Sequence, residues 1–264
     1  MKHDLESIKC GKKNLPPRIL LLGTAKVGKT TFACGSNKPV LIPIRGEEGA
    51  DDMDIAKFPT VDTYLELLES LKTLATSEHD FKTVIIDSAS TLEPLVWDYT
   101  VANATATKAG PPKSIEDVGG GFMKGYIDAL KPWRKIMDGL DNLRANKGMA
   151  SIIIGHVKVK QFNDPMSEPY DQFMWNVHDK AAAIFTQWAD CILFAKEQNF
   201  VKVAGDGSKN KATGAGVRKL YTQTRPAHPG GGRGVYGRLD YELDLDWAAF
   251  IKEIKEKMAE TTTE

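Results

Sequence analysis

The stretch from Arg18 to Thr30 constrains the fold of this chain more than any other. Ile19-Leu20-Leu21-Leu22 is an apolar run too short for a helix and reads as a buried strand that stops at Gly23. Gly23-Thr24-Ala25-Lys26-Val27-Gly28-Lys29-Thr30 then matches G-x-x-x-x-G-K-[ST], and a helix start follows. A strand before this pattern and a helix after it define the context in which it binds phosphate. Glycines let the backbone wrap closely enough for its N–H groups to surround phosphate oxygens, and the positive helix N-terminus adds to the attraction. Lys29 is expected to bridge the β- and γ-phosphates of ATP and Thr30 to hold Mg²⁺. The expected nucleotide contacts are Gly23, Thr24, Ala25, Lys26, Val27, Gly28, Lys29, Thr30 and Thr31. Lys26 also fits a plain solvated loop lysine.

The remaining pattern alternates strands with helices. Pro39 to Ile44, Phe81 to Ile86, Ala150 to Ile154 and Cys191 to Lys196 read as buried strands. Helices are expected around Thr63–Ala75, Leu92–Ala102, Tyr126–Asn146 (kinked or split by Pro132), Asp179–Trp188 and Trp247–Met258. Phe200–Ala204 and Val217–Thr224 look like a hairpin around a Gly/Lys/Asn-rich loop, 205–216. Such alternation predicts an α/β fold with a mostly parallel central sheet, helices on both faces and a C-terminal β-hairpin. Residues 1–17 are expected to be a flexible leader, 18–258 one domain and 259–264 a polar tail. Trp97, Trp133 and Trp188 lie in apolar helical stripes and are expected in the core.

Thr83-Val84-Ile85-Ile86-Asp87 delivers a carboxylate to a strand tip, where Asp87 is expected to join Thr30 at the metal. Glu47 and Glu48 close the second strand. In a parallel sheet the strand ends gather on one ligand-binding rim, so a carboxylate there can polarise an attacking water. With 35 basic and 35 acidic residues the chain has no net charge, so any polyanion must be met by a local patch. The apolar runs are far shorter than a membrane span of roughly 20 residues, and the N-terminal stretch lacks a signal-peptide core. Three widely spaced cysteines fit a reducing compartment. The expected location is the cytoplasm, with no membrane partner.

The element order — phosphate loop, helix, strand with glutamate, helix, strand with aspartate — resembles the RecA-like P-loop ATPase core. At finer grain the chain is similar to the phage-encoded RecA-like ATPases of the Sak single-strand-annealing type. The stretches that carry the resemblance are "GKTTFA", "EEGADD", "HDFKTVIIDSASTLEPLVWD", "SIEDVGGG", "LRANKGMASIIIGHVKVKQFNDP", "EPYDQF", "KAAAIFTQWADCILFA" and "RKLYTQTRPAH". The resemblance implies that Glu47 is the catalytic glutamate, with Glu48 as the alternative, and that His156 is a strand-tip sensor of the γ-phosphate. It places a first DNA-binding loop at Gly119–Gly121 and a second over Val157–Asp171. Relatives carry a Lys-Asn-Arg run where this chain reads Pro229-Gly230-Gly231-Gly232-Arg233, which leaves Arg233 as the trans-acting candidate. It further implies self-association into a ring or filament, a phage or host single-strand-binding partner, and a setting in the cytoplasm of a phage-infected bacterium.

Single-stranded DNA is held by cations that track phosphates and by aromatics that stack on bases. Lys158, Lys160, Gln161 and Phe162 offer both within five residues, although Asp164, Glu168 and Asp171 dilute the charge. The alternation Val157-Lys158-Val159-Lys160 equally fits a half-buried strand. Lys209, Lys211, Arg218 and Lys219 form a second basic candidate. The leading expectation is an ATPase that binds single-stranded DNA and promotes annealing or strand exchange in phage recombination. A replication motor or loader, or a nucleotide switch with negligible turnover, are the alternatives.

Overall fold

Apolar side chains leave the first strand, β1 (Arg18–Gly23), in both directions. Leu20 and Leu22 enter one core while Ile19 and Leu21 enter another, so the sheet must be covered twice. The computed structural model describes residues 7–11, 15–47, 49–108, 110–202 and 211–260. After β1 come α1 (Lys29–Cys34), β2 (Pro39–Pro43), α2 (Tyr64–Thr76), β3 (Thr83–Asp87) and α3 (Ala89–Ala102). Then follow α4 (Lys124–Asp128), α5 (Leu130–Asn146), β4 (Ala150–Phe162), β5 (Tyr170–Trp175) and α6 (Asp179–Trp188). The chain closes with β6 (Cys191–Lys202), β7 (Lys211–Tyr221), β8 (Gly231–Gly232), β9 (Glu242–Asp244) and α7 (Trp247–Glu260).

The sheet runs β2-β3-β4-β1-β6-β7-β9, with β5 paired to β4 and β8 paired to β6. β2, β3, β4, β1 and β6 are mutually parallel; β7 returns antiparallel beside β6. Tyr64, Trp133, Phe185 and Trp188 fill the face covered by α2, α3, α5 and α6, with Trp97 packed at its margin. Val27, Phe32 and Phe250 fill the face covered by α1 and α7. At the base of the sheet Asp190 accepts from Arg18 Nη2 at 2.9 Å and pairs with Arg144 at 3.0 Å. That pair of cations fastens β1, α5 and the entry to β6 together. No helix among the described residues is long and apolar enough to cross a membrane.

Several expected boundaries move. The helix expected at Tyr126–Asn146 is two helices broken at Ala129, because Pro132 has no N–H and its ring crowds the carbonyl of Asp128. The strand expected at Ala150–Ile154 continues to Phe162, and Val157–Phe162 pairs antiparallel with Tyr170–Trp175. Most of the segment expected as a DNA-binding loop is therefore a β-arm, and the alternation of Val157, Lys158, Val159 and Lys160 was the strand signal. Cys191–Lys196 and the start of the expected hairpin are likewise one strand, β6, and residues 211–216 of the expected loop belong to β7. Gly119–Gly121, expected as the first DNA-binding loop, leave the 3₁₀ segment Ile115–Gly120 with positive φ at all three glycines. α7 runs two residues past Met258, into the stretch expected as tail. Glu48 and Lys209 lie outside the described residues, as do parts of the expected leader and tail.

One buried carboxylate ties α3 to the far end of the arm. Both oxygens of Glu93 accept from the backbone N–H of His178, at 2.8 and 3.0 Å, just past β5. Burial pushes its pKa up to about 7, against the stabilising pull of that N–H. A raised carboxylate pKa means that the folded chain holds a proton the unfolded chain has already lost. This contribution to stability is full below the unfolded value and disappears as pH rises through about 7. Glu93→Gln should remove a fall of about 3 kcal/mol between pH 4 and pH 9. Urea midpoints of both proteins across that range check it, and parallel curves would count against the assignment.

Candidate functional site

The rim of the sheet is set by register. Pairing of β1 with β4 sets Gly23 opposite His156, and pairing of β1 with β6 sets it opposite Ala195. The loop Thr24–Gly28 then turns into α1 through Gly28, whose φ of +104° is a conformation that favours glycine. A cavity of about 670 Å³ opens there, lined by Gly28, Lys29, Thr30, Glu47, Asp87 and His156 among others. Lys29 is 5 % exposed. Its ammonium donates to the carbonyls of Gly23 at 3.1 Å and Thr24 at 2.8 Å, and lies 3.5 Å from His156 Nδ1.

Glu47 reaches this cavity through a tight turn. Glu47 N donates to Ile44 O at 3.0 Å across Arg45 and Gly46, and Gly46 takes the positive φ of +90° that the turn needs. Oε1 of Glu47 is then held by Ser88 Oγ at 2.6 Å and by His156 Nε2 at 2.8 Å. The imidazole tautomer with its proton on Nε2 satisfies both contacts, donating to Glu47 and accepting from Lys29 on Nδ1. Among the described residues no hydrogen bond reaches Oε2, so one oxygen is fixed and the other is available to a water. His156 is itself anchored by its backbone, N to Ser90 Oγ at 3.0 Å and O from Asn176 N at 2.8 Å.

Thr30 and Asp87, the pair expected at the metal, are also brought together. Thr30 Oγ1 donates to Asp87 Oδ2 at 2.7 Å, and Asp87 is 4 % exposed. A hydroxyl beside a buried carboxylate is the oxygen donor set that a hard divalent cation takes, so the residues present fit Mg²⁺. Burial raises the Asp87 pKa, with the Thr30 hydrogen bond opposing, which is the condition a bound cation relieves. Burial lowers the Lys29 pKa against the pull of Asp87 and Glu47. Glu47 goes the other way. Burial favours its neutral form, but the bonds from His156 and Ser88 and the charge of Lys29 together hold it below the usual carboxylate range. Glu47 is therefore ionised at neutral pH, as a proton acceptor must be.

The other expected site residues divide by position. Thr24 contributes its carbonyl to Lys29, while Ala25, Lys26 and Thr31 line the cavity from exposed positions. Val27 is buried in the α1-side core, so its side chain anchors the loop rather than facing a ligand. Lys158, Lys160, Gln161 and Phe162 are exposed along the arm, away from the cavity. Arg233 sits at the opposite end of the sheet, beside β8, where its guanidinium meets the carbonyl of Gln187 and lies 3.9 Å from Asp190. Ser88 and Ser90 reach the site without a sequence signal for it, and Arg218, expected in a second basic patch, lines this cavity instead. Ser88 reads as a helix cap, which it also is.

A glycine-bearing loop at a helix start, a buried lysine, a threonine–aspartate pair and an oriented glutamate define a P-loop nucleotide site. The chain belongs to a family described as an AAA domain, whose model matches residues 15–234. It is a nucleotide-binding ATPase domain built on an α/β core with a mostly parallel sheet. The crystal structure of the RadB recombinase matches 78 % of this chain and 81 % of its own, at 13 % identity and a TM-score of 0.40. No curated protein matches the chain.

Two substitutions test the roles at Glu47. Glu47→Gln keeps the shape and removes the acceptor charge, so turnover should fall about 10²- to 10⁴-fold while nucleotide still binds. His156→Ala removes a bond that favours the ionised carboxylate, so the acid limb of the kcat–pH profile should move to higher pH. Full turnover in the first variant, or an unmoved limb in the second, would reassign the role.

Proposed function

We propose that the chain binds and hydrolyses ATP, binds single-stranded DNA, and promotes annealing or strand exchange during phage DNA recombination. The observation that carries this reading is the continuity of β4. One strand runs from His156, hydrogen-bonded to Glu47, to an exposed arm bearing Lys158, Lys160, Gln161 and Phe162. Val159 is 57 % exposed and Met166, at the turn of the arm, 94 %. Phe162 and Tyr170 lie with ring centroids 5.6 Å apart across the two strands. Cations interleaved with exposed apolar and aromatic groups suit a ligand with charged phosphates and stacking faces. Lys160 lies 3.4 Å from Asp179, an exposed pair that costs little to exchange for phosphate.

In this reading Lys29 neutralises phosphate charge, Thr30 and Asp87 hold the metal, and Glu47 Oε2 takes a proton from the attacking water. Mg²⁺, when bound, offsets the charge that develops on the phosphoryl oxygens. His156 keeps the free oxygen of Glu47 aimed into the cavity and links it to the arm. DNA contacts of this kind are salt-sensitive and tolerant of sequence. Self-association into a ring or filament would let several arms follow one strand, and the setting would be the host cytoplasm.

Binding of labelled oligothymidine with ATP present, measured over a range of salt, tests the reading. Lys158→Ala with Lys160→Ala should weaken binding and reduce the slope of log K against log salt by about 1.4, since each neutralised phosphate on a single strand adds about 0.7 to that slope. An unchanged slope would remove the arm as a phosphate-binding element. Absence of any salt-dependent binding, with an ATPase rate indifferent to DNA, would favour a nucleotide switch.

A further inference from the structure

Arg218 stands where strand pairing turns a residue from the opposite side of the sheet onto the phosphate loop. It pairs with Glu197 across β6 and β7, two positions past Ala195, which is itself level with Gly23. Arg218 therefore lies just beyond the rim at the height of the loop. Strand alternation gives it the same face as Leu220, two residues on, which packs with Val27, Phe32 and Ala33. Its side chain is thus directed to the α1 side and lines the nucleotide cavity. A methyl carbon placed on Gly28 would lie 3.2 Å from Arg218 Nη1 and 3.7 Å from Leu245 Cδ2. The guanidinium is packed against the backbone of the loop.

Its neighbour shows what an occupied cation looks like on this strand. Lys219 is held by Asp244 at 2.9 Å and Glu242 at 3.4 Å. Among the described residues, by contrast, no ion pair engages the Arg218 guanidinium, although Glu197 faces it across the strands. A cation left without a carboxylate at the mouth of an anion site is available to an anion.

Its side of the cavity decides which part of the nucleotide it meets. Asp87 ends β3 and Glu47 follows β2, both on one side of β1, whereas β7 lies on the other. The Lys29 ammonium is also turned toward His156, on the β4 side. We propose that Arg218 is an in-chain phosphate ligand for the portion of the nucleotide common to ATP and ADP, on the flank away from the reacting γ-phosphate. This rests on the phosphate-loop reading and extends it. Together with Lys29 the loop is then bracketed by two cations, and the planar guanidinium supplies paired donors that a lysine does not.

Isothermal titration of the full chain with ATP and with ADP, each with Mg²⁺, tests this. Arg218→Ala should weaken both nucleotides by about tenfold, the size expected when one charge-assisted hydrogen bond is removed. Arg218→Lys should recover part of that affinity, and both variants should melt with the wild type because the side chain is exposed. Equal affinity of wild type and Arg218→Ala for both nucleotides overturns the proposal. Weakening for ATP alone, or weakening confined to oligothymidine binding, also overturns it, since either places Arg218 elsewhere. Lys29→Ala separates the two layers. If it abolishes binding while Arg218→Ala is silent, only the Arg218 role falls; if it binds both nucleotides normally, the phosphate-loop reading falls as well.

Discussion

Parallel pairing of β1 with β4 is the interaction on which the rim depends. It sets His156 opposite Gly23, so the strand that ends in the phosphate loop lies beside the strand that carries the imidazole. A slip of one residue would send every side chain of β4 to the other face, and would exchange Ile152 and Ile154 with Ile153 between the two cores. Both faces are apolar, so burial alone does not choose the register; close packing does, since a Cβ brought to the place of Gly155 would meet Leu22 Cδ2 at 2.8 Å. The geometry of the rim here follows from core packing.

Charge organisation at the rim follows from the same frame. Three ionisable groups, Lys29, Glu47 and Asp87, are drawn into a space where each alone would be costly. They are stabilised by sharing partners. Lys29 binds two carbonyls and faces His156, Glu47 takes bonds from His156 and Ser88, and Asp87 takes one from Thr30. The outcome is asymmetric. Glu47 is held ionised, while burial raises the Asp87 pKa and a cation there has most to gain. Two carboxylates at one rim are thus pushed in opposite directions by environment alone, Glu47 toward its ionised form and Asp87 toward its neutral one.

Legibility in the sequence followed locality. The phosphate loop, the alternation of strands and helices and the strand-borne Asp87 are local patterns, and each lies in the element expected for it. Glu47 meeting His156 is a contact across 109 positions. No spacing rule predicts it; parallel topology suggests a carboxylate such as Glu47 at the rim, and only the resemblance to RecA-like ATPases points to His156. The arm departs from expectation because Val157–Lys160 carries a strand pattern inside a segment where the resemblance implies a loop. Arg218 can be placed only by alternation with Leu220 in a strand whose start, at Lys211, is hidden in Gly- and Lys-rich sequence. Those residues are poor strand formers, and it is pairing with β6 that holds them extended.

If β4 joins the nucleotide rim to the arm mechanically, through the backbone and side-chain anchors of His156, nucleotide bound at one end must be felt at the other. Amide hydrogen exchange across residues 157–162 and 170–175, with and without Mg-ATP, tests it directly. Exchange in both segments should slow when nucleotide is added to the wild type, and should change much less in His156→Ala. Identical exchange in the wild type with and without nucleotide would contradict it.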